Sequence, residues 1–221
     1  MQQNGITEIV LPEFDVMLAT FLQEGAYAFN LGVYTLKVIG QAGTQGNWSK
    51  KELQMLKFAA LLHSLAESAA KAVMRRLKFD NETTDMVARL VASFDTYLDL
   101  SGSEEEQPAA MRHMMHRLGP DMMVLLWELQ RAQIVSGNPE VMEQKSAVLA
   151  KTRELYQGVV TRKDCVSLKQ LAVNGKDIIG IGATPGRQLG DILEQLLQQV
   201  LDKPELNERE ILLSLAKQHI V

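Results

Sequence analysis

Four histidines, a single cysteine and a cluster of lysines and arginines are the side chains of this chain with the most chemistry to offer, and their spacing rules out most of it. A phosphate-binding P-loop needs a glycine-rich loop ending in Gly-Lys-Ser/Thr, and Asn174-Gly175-Lys176-Asp177 lacks both the length and the hydroxyl. The run Gly180-Ile181-Gly182-Ala183-Thr184-Pro185-Gly186 has the wrong last spacing for a dinucleotide fingerprint and no clear strand before it. His113 and His116 stand one turn apart but without the third and fourth ligands that zinc requires, so they are expected to be a packing or surface pair. Cys165 has nothing near it in sequence to stabilise a thiolate and reads as structural. No catalytic residue, metal site or cofactor is expected. Two features remain: His63, at the end of the apolar run Phe58-Ala59-Ala60-Leu61-Leu62, and a local excess of cations. Residues 145–190 hold eight basic and three acidic side chains inside a chain of net charge -4, which suits local contact with phosphates better than overall attraction to nucleic acid.

The elements that must position these residues read as helices. Ser49-Lys50-Lys51-Glu52 has the capping-box form and opens a run with Leu53, Leu56 and Ala60 at helical spacing. Asn81 is expected to cap the run through Met86, Leu90 and Phe94, and Asn138-Pro139 to start a helix reaching about Gln157. Thr184-Pro185-Gly186, with Thr184 as cap, precedes Leu189, Ile192, Leu196 and Val200, and Asn207 with Glu210 repeats the pattern before Ile211 and Leu215. Ser101-Gly102-Ser103-Glu104-Glu105-Glu106 is the clearest interruption, giving a boundary near 102. The methionines Met111, Met114, Met115, Met122 and Met123 form either a core stripe or an adaptable partner surface. With 46% apolar and 23% charged residues the chain can bury a core of its own, and the expected class is all-α. Met1-Gln2-Gln3-Asn4-Gly5 has no leader pattern and no run is long enough to span a membrane, so the expected location is the cytoplasm, away from membranes.

Around His63 the sequence resembles an HD-type metal phosphohydrolase domain, in which a helix presents His-Asp as adjacent ligands. Here Ser64 holds the aspartate position. Tyr27 to Lys37 is similar to the preceding HD helix, with Tyr34 where a histidine is expected, and Leu90 to Asp95 is similar to the segment carrying the last ligand, with Asp95 retained and Phe94 replacing a common histidine. The resemblance thus implies degenerate HD positions at Tyr34, His63, Ser64 and Asp95. His63 is then a core histidine satisfied by the turn at Ser64 or by Tyr34.

Further along, Leu171 to Ile179, Gly182 to Gly186, Leu189 to Leu193 and Asn207 resemble the tail of the bacterial CCA-adding tRNA nucleotidyltransferase and poly(A) polymerase family, and Leu11-Pro12-Glu13-Phe14-Asp15 resembles the junction leading into its HD domain. This implies a degenerate HD-like helical domain over 1–102 and a helical body and tail over 103–221. In that family a head with paired aspartates holds two magnesium ions. The chain begins after the point where such a head would end, so nucleotidyl transfer is not expected of this polypeptide alone. The leading expectation is a catalytically inactive module binding tRNA or tRNA-like RNA through Arg162, Lys163, Lys169, Lys176, Thr184, Gly186 and Arg187. The alternatives are a phosphohydrolase working through a reduced site at His63 and Asp95, and a scaffold for a separate catalytic subunit.

Overall fold

The structure is a computed structural model that describes residues 6–220; the leader reading of Met1 to Gly5 lies outside the described residues. It is all-α apart from one small hairpin. In chain order the elements are α1 (Ile6–Val10), α2 (Pro12–Ala19), β1 (Phe21–Glu24), β2 (Tyr27–Asn30), α3 (Leu31–Gln41), α4 (Lys50–Leu62), α5 (Glu67–Arg76), α6 (Asn81–Ala92), α7 (Gln107–Leu118), α8 (Pro120–Ser136), α9 (Pro139–Arg162), α10 (Gly175–Gly180), α11 (Arg187–Asp202) and α12 (Arg209–Lys217). Short 3-10 turns stand at Leu168–Gln170 and Pro204–Leu206. No helix among the described residues is long and apolar enough to cross a membrane.

By packing, the chain divides into two compact units: the first runs to Tyr97 and takes in Pro120–Leu149, and the second comprises Leu98–Gly119 and the chain from Ala150. This is a division of contacts, different in kind from the family regions expected at 1–102 and 103–221. In the first unit α8 packs on α3, α4 and α6, and α5 on α6, around Leu56, Leu62, Met74, Leu90, Leu126 and Leu129. In the second, the amphipathic α11 lays Ile192, Leu196, Leu197, Val200 and Leu201 against Leu171, Val173, Ile178, Leu212 and Ala216. The five methionines are all buried, so they are core and not a partner surface.

Several local expectations hold. Ser49 accepts from the Glu52 amide while Glu52 reaches back to the Ser49 amide, a complete capping box for α4. Asn138 Oδ1 accepts from the Glu140 amide at the start of α9. Others are corrected. Asp80, not Asn81, caps α6, accepting from the Thr83 amide. Asn207 bridges backbone groups at Ala172 and Gln170 while Glu208 stands at the cap position of α12, and α9 continues to Arg162. Tyr27 to Asn30 is strand, not helix: Gly25, at φ +61, allows a tight turn that pairs Glu24 with Tyr27, and Asn30 then caps α3 through the Val33 amide.

Candidate functional site

Each unit places one group of the singled-out residues. In the first, the end of α4 delivers His63 and Ser64, α3 carries Tyr34 and Thr35, and the chain just past α6 carries Phe94 and Asp95. All of these but Thr35, with Gln133 of α8, the hairpin and the start of α9, line a cavity of about 370 Å³ that opens to solvent. Tyr34, His63, Ser64 and Asp95 all line it, so the four positions implied by the HD resemblance converge in space.

The interior of the cavity is unfavourable to charge on the imidazole. His63 stacks on Phe94 with ring centroids 4.6 Å apart and meets Tyr34 edge-on at 5.5 Å. Its Nε2 lies 3.1 Å from Thr35 Oγ1. The same hydroxyl lies 2.9 Å from the Leu31 carbonyl; when it donates there, Thr35 accepts from an Nε2–H, and when it donates to Nε2, the ring carries its proton on Nδ1. In either tautomer the ring engages Thr35 through Nε2, and its Nδ1 has no protein partner among the described residues. Burial pushes its pKa down to about 4, with the carboxylate of Asp95 opposing the shift. The partner of His63 is thus Thr35, with Tyr34 only an edge contact, in place of the turn at Ser64.

Asp95 is held by the Gln133 amide, whose oxygen in turn accepts from the Tyr97 hydroxyl at 2.7 Å. Tyr34 is raised far above the ordinary phenol value, first by burial and then by Asp95 and neighbouring groups, so it stays neutral. These donors do not fit the metal that an HD site would hold. A neutral phenol and a serine hydroxyl stand in place of an imidazole and a carboxylate, and the remaining imidazole is committed to a core hydroxyl through Nε2. No group of three or more His, Cys, Asp or Glu among the described residues is arranged to hold an ion.

In the second unit the basic residues surround a connector between α9 and α11. Arg162 ends α9 and is tied to Asp164 at 3.0 Å, which also receives the buried Arg112 at 3.1 Å. Lys163 follows with φ +58, the left-handed residue that stops the helix. Lys169 sits in the 3-10 turn and Lys176 in the first turn of α10, whose capping box is made by Asn174 and Asp177. Lys163, Lys169 and Lys176 are exposed and have no ion-pair partner among the described residues. Thr184 does not cap α11; its hydroxyl and amide both turn to the Gln188 side chain. The cap position belongs to Gly186 at φ +125, which leaves the first turn without a side-chain cap. Arg187 opens α11 with its side chain 95% exposed, its nearest carboxylate being Asp191 at 3.8 Å.

The remaining candidates are structural. His113 pairs with Asp202 and His116 with Val166 and Glu194. Cys165 is buried and its thiol pushed up by that burial. Thr35, Gln133 and Arg112 were not legible as site or core partners, because each acts across a long separation in sequence; Arg112 donates to the Leu201 and Asp202 carbonyls at the end of α11.

A family model described as tRNA nucleotidyltransferase domain 2 matches residues 48–216. A curated relative, the CCA-adding enzyme of Enterococcus faecalis (strain ATCC 700802 / V583), is 27% identical over 155 residues, which cover 70% of this chain and 33% of that protein. The chain thus spans about a third of the length of the relative it matches. No solved structure matches it.

Proposed function

Because the chain belongs to the tRNA nucleotidyltransferase domain 2 family, we propose that it is a catalytically inactive RNA-binding module of the cytoplasm, comprising a degenerate HD-like region over 1–102 and a body and tail over 103–221. The observation that carries the RNA reading is the set of exposed, unpaired cations Lys163, Lys169 and Lys176 on one stretch of connector. Exposed ammonium groups without carboxylate partners can replace the counterions of a phosphate backbone, and that release drives non-specific affinity. Arg187 adds to it: a cation in the first turn of a helix opposes the positive end of the helix dipole, and a bound phosphate would relieve both. Duplex RNA is recognised by shape and backbone contact, so a chain with few aromatic residues is no obstacle. The inactive reading follows from the donors at Tyr34 and Ser64, which cannot assemble a metal-activated water with His63.

Fluorescence titration of total tRNA and of a short acceptor-stem hairpin at several salt concentrations tests the binding. The wild-type protein is expected to bind with an affinity that falls as salt rises. The variant Lys163→Ala/Lys169→Ala/Lys176→Ala is expected to lose about two to three counterions from the salt slope. Absence of binding at low salt discards the RNA reading and leaves a scaffold for a separate catalytic subunit. Release of phosphate from nucleotides or RNA ends by protein carrying stoichiometric metal would overturn the inactive reading.

A further inference from the structure

The cavity of the first unit carries more than the remnant of a metal site. From the geometry we infer that it is a binding site for a small planar organic cation, of the guanidinium or amidinium class. Three sets of observations lead there. One is a run of rings along the lining: Phe29 to Tyr34 at 5.1 Å, Tyr34 to His63 at 5.5 Å and His63 to Phe94 at 4.6 Å. Ring faces attract a delocalised cation by their quadrupoles, and most strongly out of water. The next is charge. The cavity is lined by two carboxylates, Asp95 and Glu24, and one ammonium group, Lys145, and Lys145 lies 3.1 Å from Glu24, which neutralises it. Asp95 is left as the uncompensated charge, since Gln133, which holds it, is neutral. His63 adds no positive charge at neutral pH.

The last is hydrogen-bonding capacity. His63 Nδ1 has no protein partner among the described residues and is not sealed from the cavity, and with Nε2–H donating to Thr35 it is a bare acceptor. The carboxylate of Asp95 and the Ser64 hydroxyl add further acceptors on the same lining. A planar cation rich in N–H groups satisfies these acceptors while lying against the rings, and a volume of about 370 Å³ falls within the size of small-molecule sites. A divalent metal would find too few ligands, and a phosphate would meet the Asp95 charge.

Calorimetric titration of the full chain with butylguanidinium and with its uncharged isostere butylurea tests the inference. Butylguanidinium is expected to bind and butylurea not, and Asp95→Asn, which keeps size and an acceptor for Gln133 but removes the charge, is expected to weaken butylguanidinium by about tenfold or more. Circular dichroism checks that the variant is folded; if it is not, Phe29→Ala, which removes a ring of the hairpin outside the helical core, must weaken binding instead. Equal binding of the two isosteres, or undiminished binding by a folded variant, would overturn the cation site. So would saturable binding of adenosine monophosphate or manganese at this cavity with no response to butylguanidinium.

Discussion

The cavity of the first unit ties most of its half-buried polar side chains to one another, whereas the connector of the second leaves three lysines exposed and unpaired. At the cavity, His63 is hydrogen-bonded to Thr35, and Tyr97, Gln133 and Asp95 form one hydrogen-bonded chain. At the connector, Lys163, Lys169 and Lys176 stand exposed and unpaired. The difference separates two uses of polar residues. Polar groups bonded to one another become part of the packing, while exposed cations without partners keep their charge available to an anion. The second unit also holds an internal exception, Arg112, whose side chain and that of its partner Asp164 are 5% and 6% exposed.

That exception gives the largest expected effect. Removing one member of a buried ion pair leaves the other charge unsolvated and unpaired, so Arg112→Met is expected to cost the second unit about 3–5 kcal/mol. It also frees the carbonyls of Leu201 and Asp202 at the end of α11. The double variant Arg112→Met/Asp164→Leu should recover part of the loss. Urea denaturation followed by circular dichroism measures both, since Trp48 and Trp127 report only on the first unit. By contrast the triple lysine variant should change stability by no more than about 0.5 kcal/mol per site. A large loss there would mean the lysines are structural and would break the comparison.

A smaller effect tests the cavity. The folded protein holds His63 near 4 and the unfolded chain near 6.5, so between these values the unfolded state binds more protons. Stability therefore rises with pH across that window, and the part owed to neutral His63 is lost as pH falls from about 6.5 to 4, up to about 3 kcal/mol. The advantage of the wild-type protein over His63→Gln should narrow by that amount over the same range. A proton NMR titration gives the direct reading: a His63 ring that titrates near 6.5 would mean that the cavity is wet and its polar groups solvated.

What could be read in advance followed the reach of each interaction. Ser49 with Glu52 and Asn138 with Glu140 are local pairs, and both helix starts were legible from spacing alone. The convergence of Tyr34, His63, Ser64 and Asp95 was legible only through a family resemblance, because they lie on separate elements. Thr35 and Gln133 were not legible at all: their bonds to His63 and Asp95 cross 28 and 38 residues. The hairpin at Phe21 to Asn30 was missed because its two four-residue strands precede a helical run directly, and its one signal is the glycine turn at Gly25.

The smallest effect lies inside the connector. The sequence pattern favours Thr184 as a helix cap, yet in the structure Asn174 caps α10 and Thr184 caps nothing. Asn174 Oδ1 accepts from the Lys176 amide at 2.9 Å while Asp177 accepts from the Asn174 amide at 2.9 Å; Thr184 bonds only the flexible side chain of Gln188 and lies outside α11. Asn174→Ala removes a cap that fixes the turn presenting Lys176 and is expected to cost about 1 kcal/mol, whereas Thr184→Ala exchanges an exposed hydroxyl bond for water and should cost a few tenths. Thermal denaturation of the two variants side by side measures the difference. If Asn174 positions Lys176 for a phosphate, its alanine variant should also lose RNA affinity in proportion to the disorder it introduces, while Thr184→Ala leaves the salt slope unchanged because it removes no charge.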